Sequence, residues 1–377
     1  MDEIKQQALE QHKKLRGKIE VTLKDQLDDP EKLKLYYTPG VGAVSSYVAE
    51  NPEEAREYTW LNNAVAIVSD GSAVLGLGNI GRYGALPVME GKAMLFKQFA
   101  GIDAVPIVLD VHSADEIVAA VKAIAPSFGA INLEDIAAPI CFEVEERLKN
   151  ELNIPIMHDD QHGTAVVVLA GLINAMKVVD KNLSDCKIVM VGAGAAGVAI
   201  ARLLHKYAGP QIVCVDSKGI IEPSRDNLNA EKKMLLEFAP DVPPGQLTDA
   251  VKDADIFIGV SQPGLLTPEM VKTMSKDPVI FALANPVPEI YPDEARGAGA
   301  AVVATGRSDF PNQVNNALAF PGIFRGALDN QVDKITDKHK IAAAETIASF
   351  IQNPTPEEII PSIFAKGLTR KIAAVIT

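Results

Sequence analysis

K-I-V-M-V-G-A-G-A-A-G, residues 187–197, is followed by an unbroken helical stretch, Val198 to Tyr207, and then by Q-I-V-C-V-D at 211–216. The reading of the fold turns on these residues. An apolar run reads as a buried strand, and G-x-G-x-x-G at Gly192, Gly194 and Gly197 opens the helix after it. A second strand ends in Asp216, 24 positions after Gly192. Each part has a separate physical task. Gly192 makes the tight turn, and Gly194 lets the backbone approach a pyrophosphate. Gly197 brings helix and strand close, and the helix N-terminus, with Ala195 and Ala196 in its first turn, points its dipole at the phosphates. Asp216 reaches a ribose hydroxyl. A glycine turn that merely packs a helix on a strand is the alternative, but the full strand–turn–helix–strand–acid order favours a nicotinamide dinucleotide. An acid at 216 favours NAD over NADP, although Ser217 and Lys218 follow at once and a lysine there can tolerate a 2′-phosphate.

Outward from this unit, I-P-I-M-H-D-D-Q-H-G-T at 154–164 ends an apolar run in Asp159 and Asp160, with a break expected at Gly163 before a buried helix over 165–179. Upstream, apolar runs at 64–68, 105–109 and 130–133 each end in polar or acidic residues, with helical segments at 87–100, 114–124 and 140–150 between and after them. Downstream, strands are expected at 255–260, 279–283 and 300–304. Strands alternating with helices imply βαβ units and parallel sheets. The fold class is therefore α/β with two parallel-sheet domains, the second of Rossmann type, and helical segments at both ends. The expected division is 1–158, 159–315 and 316–377, the last packing back on the first. Ile4, Ala8 and Leu15 share a helical face, and Pro30 and Pro52 read as helix starts. Y-Y-T-P-G-V-G-A-V at 36–44 reads as a shaped loop.

A second G-x-G-x-x-G occurs at Gly76, Gly78 and Gly81. Pro87 follows closely, and no strand ending in an acid stands at the right distance. It reads as a substrate loop or structural turn.

The 377 residues favour two domains over one core. A formal charge of −13 argues against nucleic acid or an anionic membrane as the main partner. Three cysteines without C-x-x-C spacing read as core thiols of a reducing compartment. No apolar run reaches membrane-spanning length, and the N-terminus is charged and polar. Cytoplasmic localisation is the expectation, and the helical ends suggest a homodimer.

In a parallel sheet all carboxyl ends lie on one edge, so Glu134, Asp135, Asp159 and Asp160 can converge there. Such an oxygen-rich set suits Mg²⁺ or Mn²⁺. His158 and His162, spaced i, i+4, raise zinc as an alternative, which the carboxylates and the break at Gly163 disfavour. Lys92 is either a surface lysine or a cleft residue whose pKa is lowered by desolvation, a helix amino end and a metal into the range of a general base. Tyr37 is either a packing residue or an acid.

The motifs together resemble the malic enzyme family, in its short prokaryotic type. They are Y-T-P-G-V-G at 37–42, G-L-G-N-I-G at 76–81, E-G-K at 90–92, L-E-D at 133–135, H-D-D-Q-H-G-T at 158–164, G-A-G-A-A-G at 192–197, A-N-P at 284–286 and N-Q-V-N-N at 312–316. The resemblance implies oxidative decarboxylation of L-malate to pyruvate with NAD(P). It implies Glu134, Asp135 and Asp160 as metal ligands, and Lys92 as the base at the malate hydroxyl with Asp159 tuning it. Tyr37 would be the acid that protonates enolpyruvate. Asn285 and Asn315 would lie near nicotinamide and substrate, and Asn316 at the malate carboxylate. Long eukaryotic members carry a carboxylate-gripping arginine where this sequence has Ala73, and the nearest basic residue of that loop is Arg82. A metal-independent hydroxyacid or amino-acid dehydrogenase and a non-catalytic sensor are the alternatives.

Overall fold

Two sheets account for the alternating strands and helices of the computed structural model, which describes residues 2–74, 77–239 and 241–377. The chain begins with helices α1 (Asp2–Leu15), α2 (Pro30–Tyr36) and α3 (Gly40–Glu50). The first sheet follows: β1 (Ala64–Ser69), helix α4 (Gly81–Ala100), β2 (Asp103–Val108), α5 (Ala114–Ile124), β3 (Ala130–Leu133), α6 (Ile140–Glu151) and β4 (Ile156–His158). Its order is β2-β1-β3-β4, every pair parallel. Helix α7 (Asp159–Val179) crosses to the second sheet. That sheet comprises β5 (Lys187–Val191), α8 (Ala195–Ala208), β6 (Gln211–Asp216), β7 (Gly219–Ile220), β8 (Ile256–Gly259), β9 (Val279–Ala282) and β10 (Val302–Thr305). Its order is β10-β9-β8-β5-β6-β7, parallel except for β7. Helices α9 (Phe320–Asp329), α10 (Asp337–Ala348) and α11 (Leu368–Ala373) end the chain.

Both faces of these sheets are covered. Every residue of β1, β3, β8, β9 and β10 is buried, as continuous Val/Ile/Ala runs require in parallel sheets. Helix α7 is long and apolar enough to cross a membrane by length and composition, exceeding the apolar run expected from sequence. It is a core helix here, packed against α8 and α10 with most of its residues buried. Helices α9 and α11 pack on α4, so the C-terminal segment returns to the first sheet.

Three local expectations are corrected. Helix α4 starts at Gly81, so the first glycine motif does open a 20-residue helix, with Pro87 inside it. Proline there forfeits one backbone bond, and burial of Ala85, Met89, Ala93 and Phe96 outweighs that loss. Gly76 of that motif, and Leu75 before it, lie outside the described residues. Helix α7 starts at Asp159 and runs through Gly163 without a break. A Cβ at 163 would lie 1.9 Å from Asp159 Oδ1, so glycine is required there for room. Finally, the segment at 36–44 is loop only around its middle, since Gly40 already begins α3.

The first helices bury nothing. No residue of α2 or α3 is buried, and Ile4, Leu9, Leu23, Leu35, Tyr37 and Val21 are exposed.

Candidate active site

Parallel alignment puts the carboxyl ends of β3 and β4 side by side, Leu133 paired with His158. The residues that follow therefore meet: Glu134 and Asp135 after β3, Asp159 and Asp160 at the start of α7. A ligand oxygen from each of Glu134, Asp135 and Asp160 lies within 4.8 Å of the others. Asp135 adopts φ +54°, a left-handed conformation uncommon outside glycine, asparagine and aspartate. Its N–H donates to Asp160 Oδ2 at 2.7 Å. Its carbonyl accepts from Ala73 N at 3.0 Å, and Ala137 N donates to Ser72 Oγ at 2.9 Å, so the loop after β1 braces the loop after β3.

Lys92, on the fourth turn of α4, is buried against this group. Its Nζ donates to Asp159 Oδ2 at 2.5 Å and lies 2.8 Å from Glu134 Oε1. The Phe320 ring at the start of α9 covers it at 4.3 Å from its centroid. Burial disfavours the ammonium, but the charges of Asp159, Glu134 and Asp160 outweigh it and raise the lysine pKa above its ordinary value. That is the reverse of the depression expected from sequence, because three carboxylates face one cation. The acids are displaced too: burial pushes Asp159 up to about 6 despite Lys92, and raises Glu134 and Asp160. Asp159 Oδ1 has no hydrogen-bond partner among the described residues.

Hard oxygens from three crowded carboxylates, with Glu134 and Asp160 pushed by burial to resist ionisation, fit a divalent cation of the Mg²⁺ type. Zinc is not favoured by the histidines. His162 Nε2 bonds Glu145 Oε2 at 2.8 Å, and neither histidine belongs to the three-acid group among the described residues. Glu145 was invisible to sequence reading. It is buried on α6 and also accepts from His158 N at 2.9 Å and pairs with Lys149 at 2.6 Å, pinning the β4–α7 junction that carries Asp159 and Asp160. Only its i, i+4 spacing to Lys149 was legible. Phe320, likewise, gave no local signal.

The remaining expected residues divide. Asn316 comes close to the acids: its Cβ is 3.1 Å from where a Gly163 Cβ would stand. Asn315 caps the turn before α9, its Oδ1 accepting from Ala317 N at 2.9 Å. Asn285 is exposed beyond the carboxyl end of β9. Tyr37 is 67% exposed at the end of α2, and among the described residues no hydrogen bond joins it to the acids within this chain. Arg82 is held in an ion pair with Asp110.

At the second sheet, Gly192 has φ +105°, and a Cβ there would meet the Val260 carbonyl oxygen at 2.9 Å. A Cβ on Gly197 would stand 1.8 Å from the Gly192 oxygen, whereas Gly194 faces open space. Turn, open approach and close helix packing thus fall where a pyrophosphate cradle needs them, at the N-terminus of α8. Asp216 at the end of β6 is already engaged. Arg225 grips both its oxygens at 3.0 and 2.9 Å, Lys232 bonds it at 2.7 Å, and Lys218 N donates at 2.9 Å. Despite burial these partners lower its carboxyl to about 2.

Family models agree with this two-part arrangement. Residues 16–149 match the malic enzyme N-terminal domain and residues 161–377 the malic enzyme NAD-binding domain. The chain belongs to the malic enzyme family. It is 53% identical to a bifunctional malic/malolactic enzyme of Bacillus subtilis, over 99% of this chain and 92% of that protein. It is 53% identical to an NAD-dependent malic enzyme of Geobacillus stearothermophilus, over 94% of this chain and 75% of that one. The crystal structure of an NAD-dependent malic enzyme from Thermotoga maritima superposes with a TM-score of 0.95 at 51% identity, covering 98% of each chain.

Proposed function

We propose that the lysine–carboxylate cluster of this malic enzyme is its reaction centre, with Lys92 and Tyr37 as proton carriers and Glu134, Asp135 and Asp160 as the metal ligands. The enzyme oxidises L-malate with NAD(P) and releases pyruvate and CO₂. The observation that carries the residue assignment is Lys92 Nζ held between Asp159 and Glu134 beside the three-acid group.

Glu134, Asp135 and Asp160 would hold a divalent cation, which would supply Lewis-acid charge for the decarboxylation. The chain's own residues do the rest. With their charge shared with a cation, these acids would pull less on Lys92. Lys92, entering the step as the neutral amine after releasing its proton to solvent, takes the proton of the malate C2 hydroxyl as the C2 hydride passes to NAD(P), and Asp159 orients the amine. Phe320 and the buried walls exclude water from that transfer. Asn285, Asn315 and Asn316 border substrate and nicotinamide, whose pyrophosphate sits on Gly192, Gly194, Ala195, Ala196 and Gly197. Tyr37 protonates the enolate carbon.

Tyr37 reaches the reaction centre as part of a homodimer, from the partner's helical arm. What supports this is an arm without buried residues in α2 and α3, carrying exposed leucines and Tyr37 itself. Unpaired apolar area of that extent is ordinarily an interface. The protein works in the cytoplasm, consistent with three free, buried cysteines. The domain division lies at 158/159, with 316–377 returning to the first unit.

The test is one assay series with L-malate, Mn²⁺ and either NAD or NADP. Pyruvate equal to reduced cofactor, abolished by EDTA, is expected. Reduced cofactor with oxaloacetate and no pyruvate, or turnover indifferent to EDTA, would overturn the metal and Tyr37 roles.

A further inference from the structure

Lys24, Arg56 and Arg325 line one cavity of about 280 Å³, together with Asn62 and Asn63. Asn63 immediately precedes β1, so the cavity opens at the amino end of the first sheet. The reaction centre occupies the carboxyl end, and the two are separate sites. Arg325 stands midway along α9, whose first residue, Phe320, covers Lys92. Five residues of helix, about 8 Å of rise, separate the two positions along that axis.

The cationic side chains are incompletely partnered. Arg56 donates from Nη2 to the Gly129 carbonyl at 3.3 Å, and its Nη1 is buried with no acceptor. No carboxylate lies within ion-pair distance of it among the described residues. Arg325 reaches Asn63 Oδ1 and Asp329 Oδ1, each at 2.6 Å, and its buried Nε has no acceptor. Buried guanidinium donors without acceptors are costly, and like charges around one cavity repel. Two acids, Glu57 and Asp329, also border it, leaving a formal excess of one positive charge in a chain whose formal net charge is −13. A polar, cation-rich cavity in so acidic a protein needs an explanation that core packing does not supply.

We propose that this cavity is a binding site for a small doubly charged oxyanion, a phosphate-bearing or dicarboxylate metabolite. Arg56, which has no carboxylate partner among the described residues, offers its guanidinium to paired anionic oxygens. Arg325 adds a second charge beside its bonds to Asn63 and Asp329, Lys24 adds a third, and Asn62 and Asn63 complete a polar lining. The volume admits a small metabolite.

The test is calorimetric titration of the holoenzyme, saturated with Mg²⁺ and NAD so that the pyrophosphate cradle is filled. Inorganic phosphate and succinate are the two probes, and wild type is compared with Arg56→Gln. Saturable binding of either probe, weakened at least about tenfold in the variant, is expected, and the probe that responds names the source. Succinate held at the malate site is common to both proteins and cancels in the comparison. Unchanged kcat in Arg56→Gln shows that the fold is intact; should that variant not fold, Lys24→Gln on the exposed arm replaces it with the same expected loss. No saturable binding of either probe up to about 50 mM, or isotherms identical in wild type and variant, overturns the proposal.

Discussion

Replacing Lys92 by methionine keeps the length of the side chain and removes its charge and its proton. In the metal-free enzyme the change strands two carboxylates, Asp159 at 0% and Glu134 at 4% exposure, that the lysine contacts at 2.5 and 2.8 Å. Removing one partner of a buried ion pair costs about 3–5 kcal/mol. The cost depends on pH, and its sign follows from Asp159. Its folded pKa, about 6, stands above the ordinary carboxylate value, so burial of Asp159 is tolerated below that range and opposed as pH rises through 6. Without the lysine, the folded pKa climbs further and the window in which ionisation destabilises the fold moves up. Urea unfolding in EDTA should therefore show a small deficit at pH 5 and most of the 3–5 kcal/mol at pH 8. Excess Mg²⁺ should shrink the deficit, since the cation takes the place of the lost charge at Glu134. Catalysis should fall by about 10²–10⁴ in kcat with NAD affinity little changed, because proton transfer is lost and the glycine cradle is untouched. A kcat within tenfold of wild type would refute the base role. A deficit equal at pH 5 and pH 8 would refute the electrostatic account of the cluster.

Asp135→Asn should weaken Mg²⁺ binding on the order of 100-fold, measured by titration of activity against free metal; unchanged affinity would remove it from the ligand set. Tyr37→Phe should impair pyruvate formation more than oxaloacetate reduction. If Tyr37 acts across a dimer, mixing Tyr37→Phe with Lys92→Met subunits should recover about a quarter of wild-type activity, since half the dimers are mixed and each holds one intact site; no recovery would place both residues in one chain. Arg225→Gln should free the Asp216 charge toward the ribose and lower the NADP/NAD ratio of kcat/KM by about tenfold, and an unchanged ratio would show that this charge does not select the cofactor. His162 is held neutral, its pKa lowered to about 3 chiefly by burial. Protons therefore bind the unfolded chain first, and stability is lost as pH falls from 6.5 toward 3. His162→Gln should lose about 2 kcal/mol less than wild type between pH 7.5 and 5, and equal losses would mean the ring titrates normally.

Much of this was legible in residue order alone. Periodicity of 2 and of 3.6 is a local property, so β5, α8 and β6 could be read directly from 187–216. The same holds for the acids that end β3 and β4, since parallel strands share one carboxyl edge and convergence follows from topology. Backbone-dependent features were legible in part: the glycines at 192 and 197 proved necessary for turn and packing, as their spacing implied. Helix boundaries were not. Proline at 87 and glycine at 163 ordinarily mark breaks, yet tertiary burial and the room needed beside Asp159 overrode both local preferences. Nor could residue order reveal Glu145 beneath His158 and His162, Phe320 over Lys92, or the Arg225–Lys232 grip on Asp216, because each joins segments that only folding brings together. The charge state of Lys92 is the sharpest case. A lysine in a cleft invites the idea of a depressed pKa, but desolvation and neighbouring charge act in opposite senses. Only the distances to Asp159 and Glu134 in the folded chain decide which one prevails.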